Sequence, residues 1–269
     1  MSEFMSEQSN RVNYERPELV MKYGKFSRLQ KGEQLILSKY RHQFEGKNIL
    51  DIGVGGGRTA VHLIPLAATY KGIDFSGEMI KLCAQRFAAV PNAVFEKDDA
   101  RELVTCKSGF FDAVFFSFNG IDCVDLSGRK QILKHVHRVL KPGGYFIFSY
   151  HNSGNLKKLY GLQLPKNPFK WRWEIGRMRK LRMLNGPWQN YKGLDFFTLR
   201  DGGDDFQVDV MYVNPRFQEE MLIDSHFIVL DRIDAQKGRT LTRESAQKSE
   251  TPWIYLVCEK KERLGVGTT

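Results

Sequence analysis

Residues 49–63 read ILDIGVGGGRTAVHL. Apolar residues run into a turn holding four glycines, and a second apolar-rich stretch follows. β-forming residues, then glycines, then helical spacing predict a strand, a tight turn and a helix. This feature constrains the fold most. A strand that feeds a helix through a glycine turn belongs to a parallel α/β sheet, whose ligands sit at the carboxyl ends of the strands. Such turns bring backbone N–H groups close to a nucleotide.

The rest of the chain extends that pattern. The spacing predicts an N-terminal helix over 28–44 and strands at 48–53, 69–74, 93–97, 111–117 and 145–150. Helices are expected at 57–66, stopped near Pro65, at 76–90 with Ser76 as N-cap, and at 127–140 before Lys141-Pro-Gly-Gly144. Alternating strands and helices predict a doubly wound parallel sheet. After Tyr150 the alternation breaks. Strands at 195–200 and 206–213 are expected to pair across Asp201-Gly-Gly203. A helix at 215–225 follows, then two late strands, 227–233 and 252–259, in an antiparallel pair. The polar stretch 234–251 between them is expected to be a featureless loop. The chain thus divides into 1–8, a cloning remnant and disordered start, and 9–46, lid helices. A core follows at 47–150 and 214–260, with an inserted cap at 151–213 and a tail at 261–269.

Of the 269 residues, 42% are apolar, which suits a packed core. No window reaches the roughly 18 apolar residues of a membrane span. Cys83, Cys106, Cys123 and Cys258 form no CxxC pair, so no zinc site or other metal is expected and a reducing cytoplasm is. The net charge of +10 is concentrated: residues 155–193 hold ten Lys/Arg and one acid, Glu174.

Glycine spacing alone leaves the cofactor open, because Gly55-x-Gly57-x-x-Ala60 also satisfies a loose NAD fingerprint. Asp51 argues against NAD, since a carboxylate at the turn would repel a pyrophosphate and welcome a cationic amino-acid moiety. Asp74, ending the second strand, can bind ribose hydroxyls of either cofactor. Five segments in order resemble the class I S-adenosylmethionine (SAM)-dependent methyltransferases of the small-molecule type: ILDIGVGGGR, GIDFSGEMI (72–80), KDDAREL (97–103), FDAVFFSFNGID (111–122) and VHRVLKPGGYFIFS (136–149). The resemblance covers about residues 45–152. It implies a Rossmann-like, mostly parallel seven-stranded sheet of order 3-2-1-4-5-7-6, strand 7 antiparallel. It also implies that Asp51 and Gly53 hold the methionine end of SAM, that Gly55 and Gly57 permit close backbone approach, and that Asp74 holds the ribose. Asp99 with Ala100 would meet the adenine, Phe75 and Met79 would sandwich it, and Ser117 or Phe118 would offer backbone near the sulfonium. Arg58 is either a further contact or a solvated helix start.

Methyl transfer from a sulfonium needs alignment, exclusion of water and, for a hydroxyl or ammonium acceptor, a base. The face above the strand ends offers Asn119, Asp122, Tyr150 and His151, with His151 and Asn119 the candidate catalytic residues. Tyr14 and Tyr23 could cover the cofactor. Ser-Phe-Asn-Gly at 117–120 is not the Asp/Asn-Pro-Pro-Tyr of base-amino methylases. Residues 166–184 predict a basic helix with Trp171, Ile175, Met178, Leu181 and Leu184 on one buried face. It either caps the cleft with a solvated basic face or serves an anionic small molecule, an anionic membrane or RNA. The expectation is a SAM-dependent methyltransferase acting on an oxygen or nitrogen of a small, anionic metabolite, a natural-product or sugar intermediate, and releasing S-adenosylhomocysteine. The alternatives are an RNA or protein methyltransferase, or a non-catalytic SAM-binding protein docked on nucleic acid or membrane.

Overall fold

A computed structural model describes residues 14–162, 167, 169 and 171–261. In chain order the core elements are α1 (Pro17–Gly24), α2 (Lys31–Phe44), β1 (Lys47–Ile52), α3 (Ala60–Leu63), β2 (Ala67–Asp74), α4 (Gly77–Arg86) and β3 (Ala93–Lys97). There follow β4 (Phe111–Phe116), α5 (Leu126–Val139) and β5 (Leu140–Asn152). The inserted stretch contributes α6 (Leu156–Tyr160), α7 (Trp171–Asn185), β6 (Phe196–Leu199) and β7 (Val210–Val213). The chain then returns through α8 (Pro215–Asp224), β8 (Phe227–Asp234), β9 (Arg239–Leu241), α9 (Arg243–Gln247) and β10 (Trp253–Lys260).

The sheet runs β3-β2-β1-β4-β5-β10-β8-β9. The first five strands are parallel, while β10 lies antiparallel to both β5 and β8. With β9 and the inserted strands set aside, this is the order 3-2-1-4-5-7-6, a Rossmann-like α/β sheet. β6 and β7 pair antiparallel, and β7 extends the sheet by pairing parallel with the end of β5 at His151 and Asn152. The insertion is therefore stitched to the carboxyl end of β5, in the middle of the sheet and beyond the end of β4.

Period-two alternation sends neighbouring strand residues to opposite faces. Leu50, Ile52, Phe146, Phe148 and Tyr150 pack with α5 and α8 on one side. Ile49, Phe115, Ile147 and Val257 pack with Ile36, Tyr40 and Phe44 of α2 on the other. A third cluster, Leu156, Leu181, Phe197, Leu199, Val208 and Val210, is the insertion's own core.

Four expectations are corrected. Tyr150 belongs to the core, 1% exposed, and not to the face above the strand ends. α3 is one turn long: the glycine turn runs on to Thr59, and beyond Ile64, itself helical in its dihedrals, Pro65 supplies no N–H to continue the helix. The stretch 234–251 is no featureless loop: it forms β9 and α9, seals Leu241 and Ala246 into the core, and has Thr242 accepting from the Ser245 amide as helix cap. In α7 the expected apolar face is not buried. Leu181 is, but Trp171, Ile175 and Leu184 are exposed. The inward positions go instead to Leu181 and a Glu174–Arg177 ion pair at 2.7 Å. Pro165, Pro168, Lys166 and Lys170, and residues 1–13 and 262–269, lie outside the described residues.

Candidate active site

The turn after β1 carries Gly53 at φ +64° and Gly55 at φ +52°, a region that costs a side-chain-bearing residue energy. A Cβ on Gly53 would also stand 3.0 Å from the Phe116 ring. The turn is tied to the end of β2: Asp74 accepts the Gly55 and Ser76 amides, both at 2.9 Å. Around this junction lies a cavity of about 150 Å³. Nine of the eleven expected cofactor residues line it: Gly53, Gly55, Asp74, Phe75, Met79, Asp99, Ala100, Ser117 and Phe118.

The other two stand elsewhere. Asp51 shares its strand face with Ile49, so alternation turns its carboxylate away from the cavity. It is 1% exposed and accepts Thr59 Oγ1 at 2.5 Å and Tyr70 OH at 2.7 Å. Burial pushes its pKa up to about 6, against the pull of those hydrogen bonds. Gly57, at φ +79°, backs onto the Phe87 ring, 2.6 Å from where a Cβ would sit. Arg58 forms a two-pronged ion pair with Glu33 of α2, both contacts 2.6 Å, and covers the Phe118 ring at 5.0 Å.

Burial likewise raises Asp74 to about 6, opposed by the two amides it accepts. Asp99 holds Arg101 through Nε at 3.0 Å and NH2 at 2.8 Å. Arg101 lines the cavity too and was missed from the sequence; a lone arginine in a polar run carries no signal. Tyr14 and Tyr23 line the cavity as well, edge-on to each other with ring centroids 6.2 Å apart. α1 presses on the glycine turn so closely that a Cβ on Gly56 would be 2.5 Å from the Tyr23 carbonyl oxygen.

A second cavity of about 350 Å³ adjoins the first and shares Tyr14, Tyr23, Phe118 and Cys123 with it. Its further lining includes Lys22, Asn119, His151, Asp201, Val208 and Trp253. His151 is positioned from three sides. Its backbone N–H donates to Asp122 Oδ2 and its Nδ1 lies 2.7 Å from the same oxygen. The ring packs 4.9 Å from Tyr212 and 5.8 Å from Trp253. Its Nε2 stands 3.6 Å from Asp201, which also accepts Tyr212 OH at 2.8 Å. Behind it, fully buried Asp122 pairs with fully buried Arg129 at 2.6 Å, and Arg129 donates to Gln218 of α8. Asn119 sits at φ +61° with its N–H on Ser149 Oγ. Its Oδ1 is buried without a hydrogen-bond partner among the described residues. Arg129, Gln218, Asp201 and Trp253 were not legible: they lie on four different elements that only the fold assembles.

Fold and site define a Rossmann-like domain with two adjoining cavities at the carboxyl ends of its strands. Residues 49–144 match the family described as "Methyltransferase domain". The ubiquinone/menaquinone biosynthesis C-methyltransferase UbiE of Geotalea daltonii is 37% identical over 104 residues, 37% of this chain and 43% of that one. A fatty-acid O-methyltransferase of Mycolicibacterium smegmatis is 33% identical over 108 residues, 39% of this chain and 37% of that one. The chain thus spans under half the length of either relative. Among solved structures, a SAM-dependent methyltransferase from Clostridium acetobutylicum shares the fold at TM-score 0.59 and 18% identity, covering 86% of this chain and 92% of that one. The CcbJ methyltransferase of Streptomyces caelestis does so at 0.60 and 14%, covering 91% and 96%. Residues 49–144 thus carry a methyltransferase domain, on a fold shared with SAM-dependent methyltransferases; of the two cofactors that glycine spacing left open, these matches support SAM. No helix among the described residues is long and apolar enough to cross a membrane.

Proposed function

We propose that this chain transfers the methyl group of SAM to an oxygen or nitrogen of a small molecule held in the second cavity. The observation that carries this reading is the place of His151: on the wall of the cavity adjoining the cofactor pocket, with Nδ1 fixed by a buried carboxylate. Gly53 and Gly55 give the cofactor's methionine end backbone contact, and Asp74 accepts the ribose hydroxyls. Phe75 and Met79 flank the adenine beside Asp99 and Ala100, while Ser117 and Phe118 border the sulfonium. The apolar flanks and the acids fit a ligand with a cationic end and no phosphate. When bound, SAM supplies a methyl group already activated on sulfonium.

The chain's part is orientation, dehydration and proton removal. Asp122 accepts Nδ1–H, which leaves the Nε2 lone pair to take the acceptor's proton as the new C–O or C–N bond forms and the C–S bond breaks. Asp122 then stabilises the imidazolium, as an orienting carboxylate does for a histidine base. Arg129 pairs with Asp122 in its buried setting and holds the carboxylate in place behind the imidazole. Asn119, with an orphaned buried acceptor, receives a donor from the substrate. The named relatives include both a C- and an O-methyltransferase. A histidine base suits a heteroatom acceptor, whose hydroxyl or ammonium proton it can remove.

The test is methyl-labelled SAM incubated with the protein and a cell extract split into small-molecule, lipid, RNA and protein pools. Label in small molecules or lipids, lost with His151→Ala, supports the reading. Label in RNA or protein overturns the choice of substrate. A label transfer indifferent to His151→Ala overturns its role as base.

A further inference from the structure

We propose that the outer face of α7 is a docking surface for an anionic lipid bilayer. Five of the large apolar side chains exposed among the described residues fall in this one helix: Trp171, Trp173, Ile175, Met183 and Leu184. Trp173 is 69% exposed and Met183 76%. These two stand outside the insertion's apolar core, which the helix joins through Leu181, beside the buried Glu174–Arg177 pair. At 3.6 residues per turn, Arg172, Arg179 and Met183 share the face opposite Leu181, with Ile175 and Arg182 on one flank and Trp173 on the other. Arg172 and Arg179 make no ion pair with a carboxylate among the described residues.

Water is a poor partner for so much apolar surface in one place, and such patches mark interaction sites. Arginines interleaved with tryptophan and aliphatic side chains suit the headgroup–acyl boundary, where the cations meet lipid phosphates and the apolar groups pass below them. RNA would use the cations and could stack on Trp173, but it has nothing to offer Met183 or Ile175. The aliphatic residues therefore favour a bilayer. Leu181, on the inner face, packs in the same cluster as Val208 and Val210, which line the second cavity. A bilayer under α7 would thus lie about one helix diameter, roughly 10 Å, from the cluster that walls that cavity and suit an acceptor drawn from the interface. That consequence rests on reading the cavity as the acceptor site; the docking itself does not.

The experiment is flotation of the full chain with phosphatidylcholine vesicles, with and without about 30 mol% phosphatidylglycerol. SAM binding by each variant serves as the check on folding. Association with the anionic vesicles only is expected. The pair Arg172→Glu and Arg179→Glu should weaken it about tenfold or more, from the attraction each cation contributes near an anionic surface. The pair Trp173→Ser and Met183→Ser should weaken it several-fold at unchanged charge. No association with anionic vesicles overturns the proposal. So does association that the Ser pair leaves unchanged, since a purely electrostatic surface would serve any polyanion, RNA included. Neither result bears on which pool receives the methyl label, so failure here is distinct from failure of the catalytic reading.

Discussion

His151 and Asp74 hold different ends of the proposed chemistry, and each can be removed alone. His151→Ala deletes the proton acceptor but leaves the cofactor cavity intact, because His151 lines only the second cavity. Its kcat should fall roughly 10²–10⁴-fold, the usual range for a general base, with SAM affinity unchanged in calorimetry. Asp74→Ala should do the reverse. Losing a charged hydrogen-bond acceptor should weaken SAM binding by roughly 1–3 kcal/mol; unchanged affinity would refute its ribose role. Asp51 shows how a motif residue can differ in place from its expectation. Its position in the chain was plain, but strand alternation decides which way a side chain faces, and here it faces Thr59 and Tyr70.

At the scale of elements, two contacts carry predictions. α1 covers the glycine turn through Gly56, where a Cβ would meet backbone and not a yielding side chain. Gly56→Ala should push α1 off the turn. Limited proteolysis should then cut before residue 30 sooner than in the wild type, and SAM binding should weaken. Arg129 ties α5 to α8 and neutralises Asp122 in a site with no solvent exposure. Arg129→Met leaves that carboxylate buried and uncompensated, at a cost of roughly 3–5 kcal/mol. A drop in Tm of about 10 °C is expected for a chain of this size. The face of α7 was misread because helical spacing shows which residues are aligned, not which aligned set the neighbours cover. The insertion's core accepts Leu181 and the Glu174–Arg177 pair.

Across the whole molecule, the sheet buries acids at the ends of its strands, and this shapes stability against pH. Burial raises Asp51 from an ordinary 3.8 to about 6. The folded chain therefore holds that proton more tightly than the unfolded chain. The resulting stability is fully present below about 3.8 and is lost as pH rises through about 6, roughly 3 kcal/mol in all. Asn can accept the same two hydrogen bonds without titrating. The Tm of Asp51→Asn should thus rise relative to wild type as pH goes from 4 to 7; a constant difference would refute the shift. The sequence by itself determined the strand–turn–helix, the alternation that makes the parallel sheet, and nine of the residues that line the first cavity. These are local: a glycine turn, a strand end and a helix start stand close in the chain and meet wherever the sheet forms. Only the tertiary structure decided the second cavity. It draws His151 from β5, Asp201 from the inserted hairpin and Trp253 from β10, with Arg129 of α5 buried behind Asp122. No period or spacing links residues on separate elements; packing brings them together.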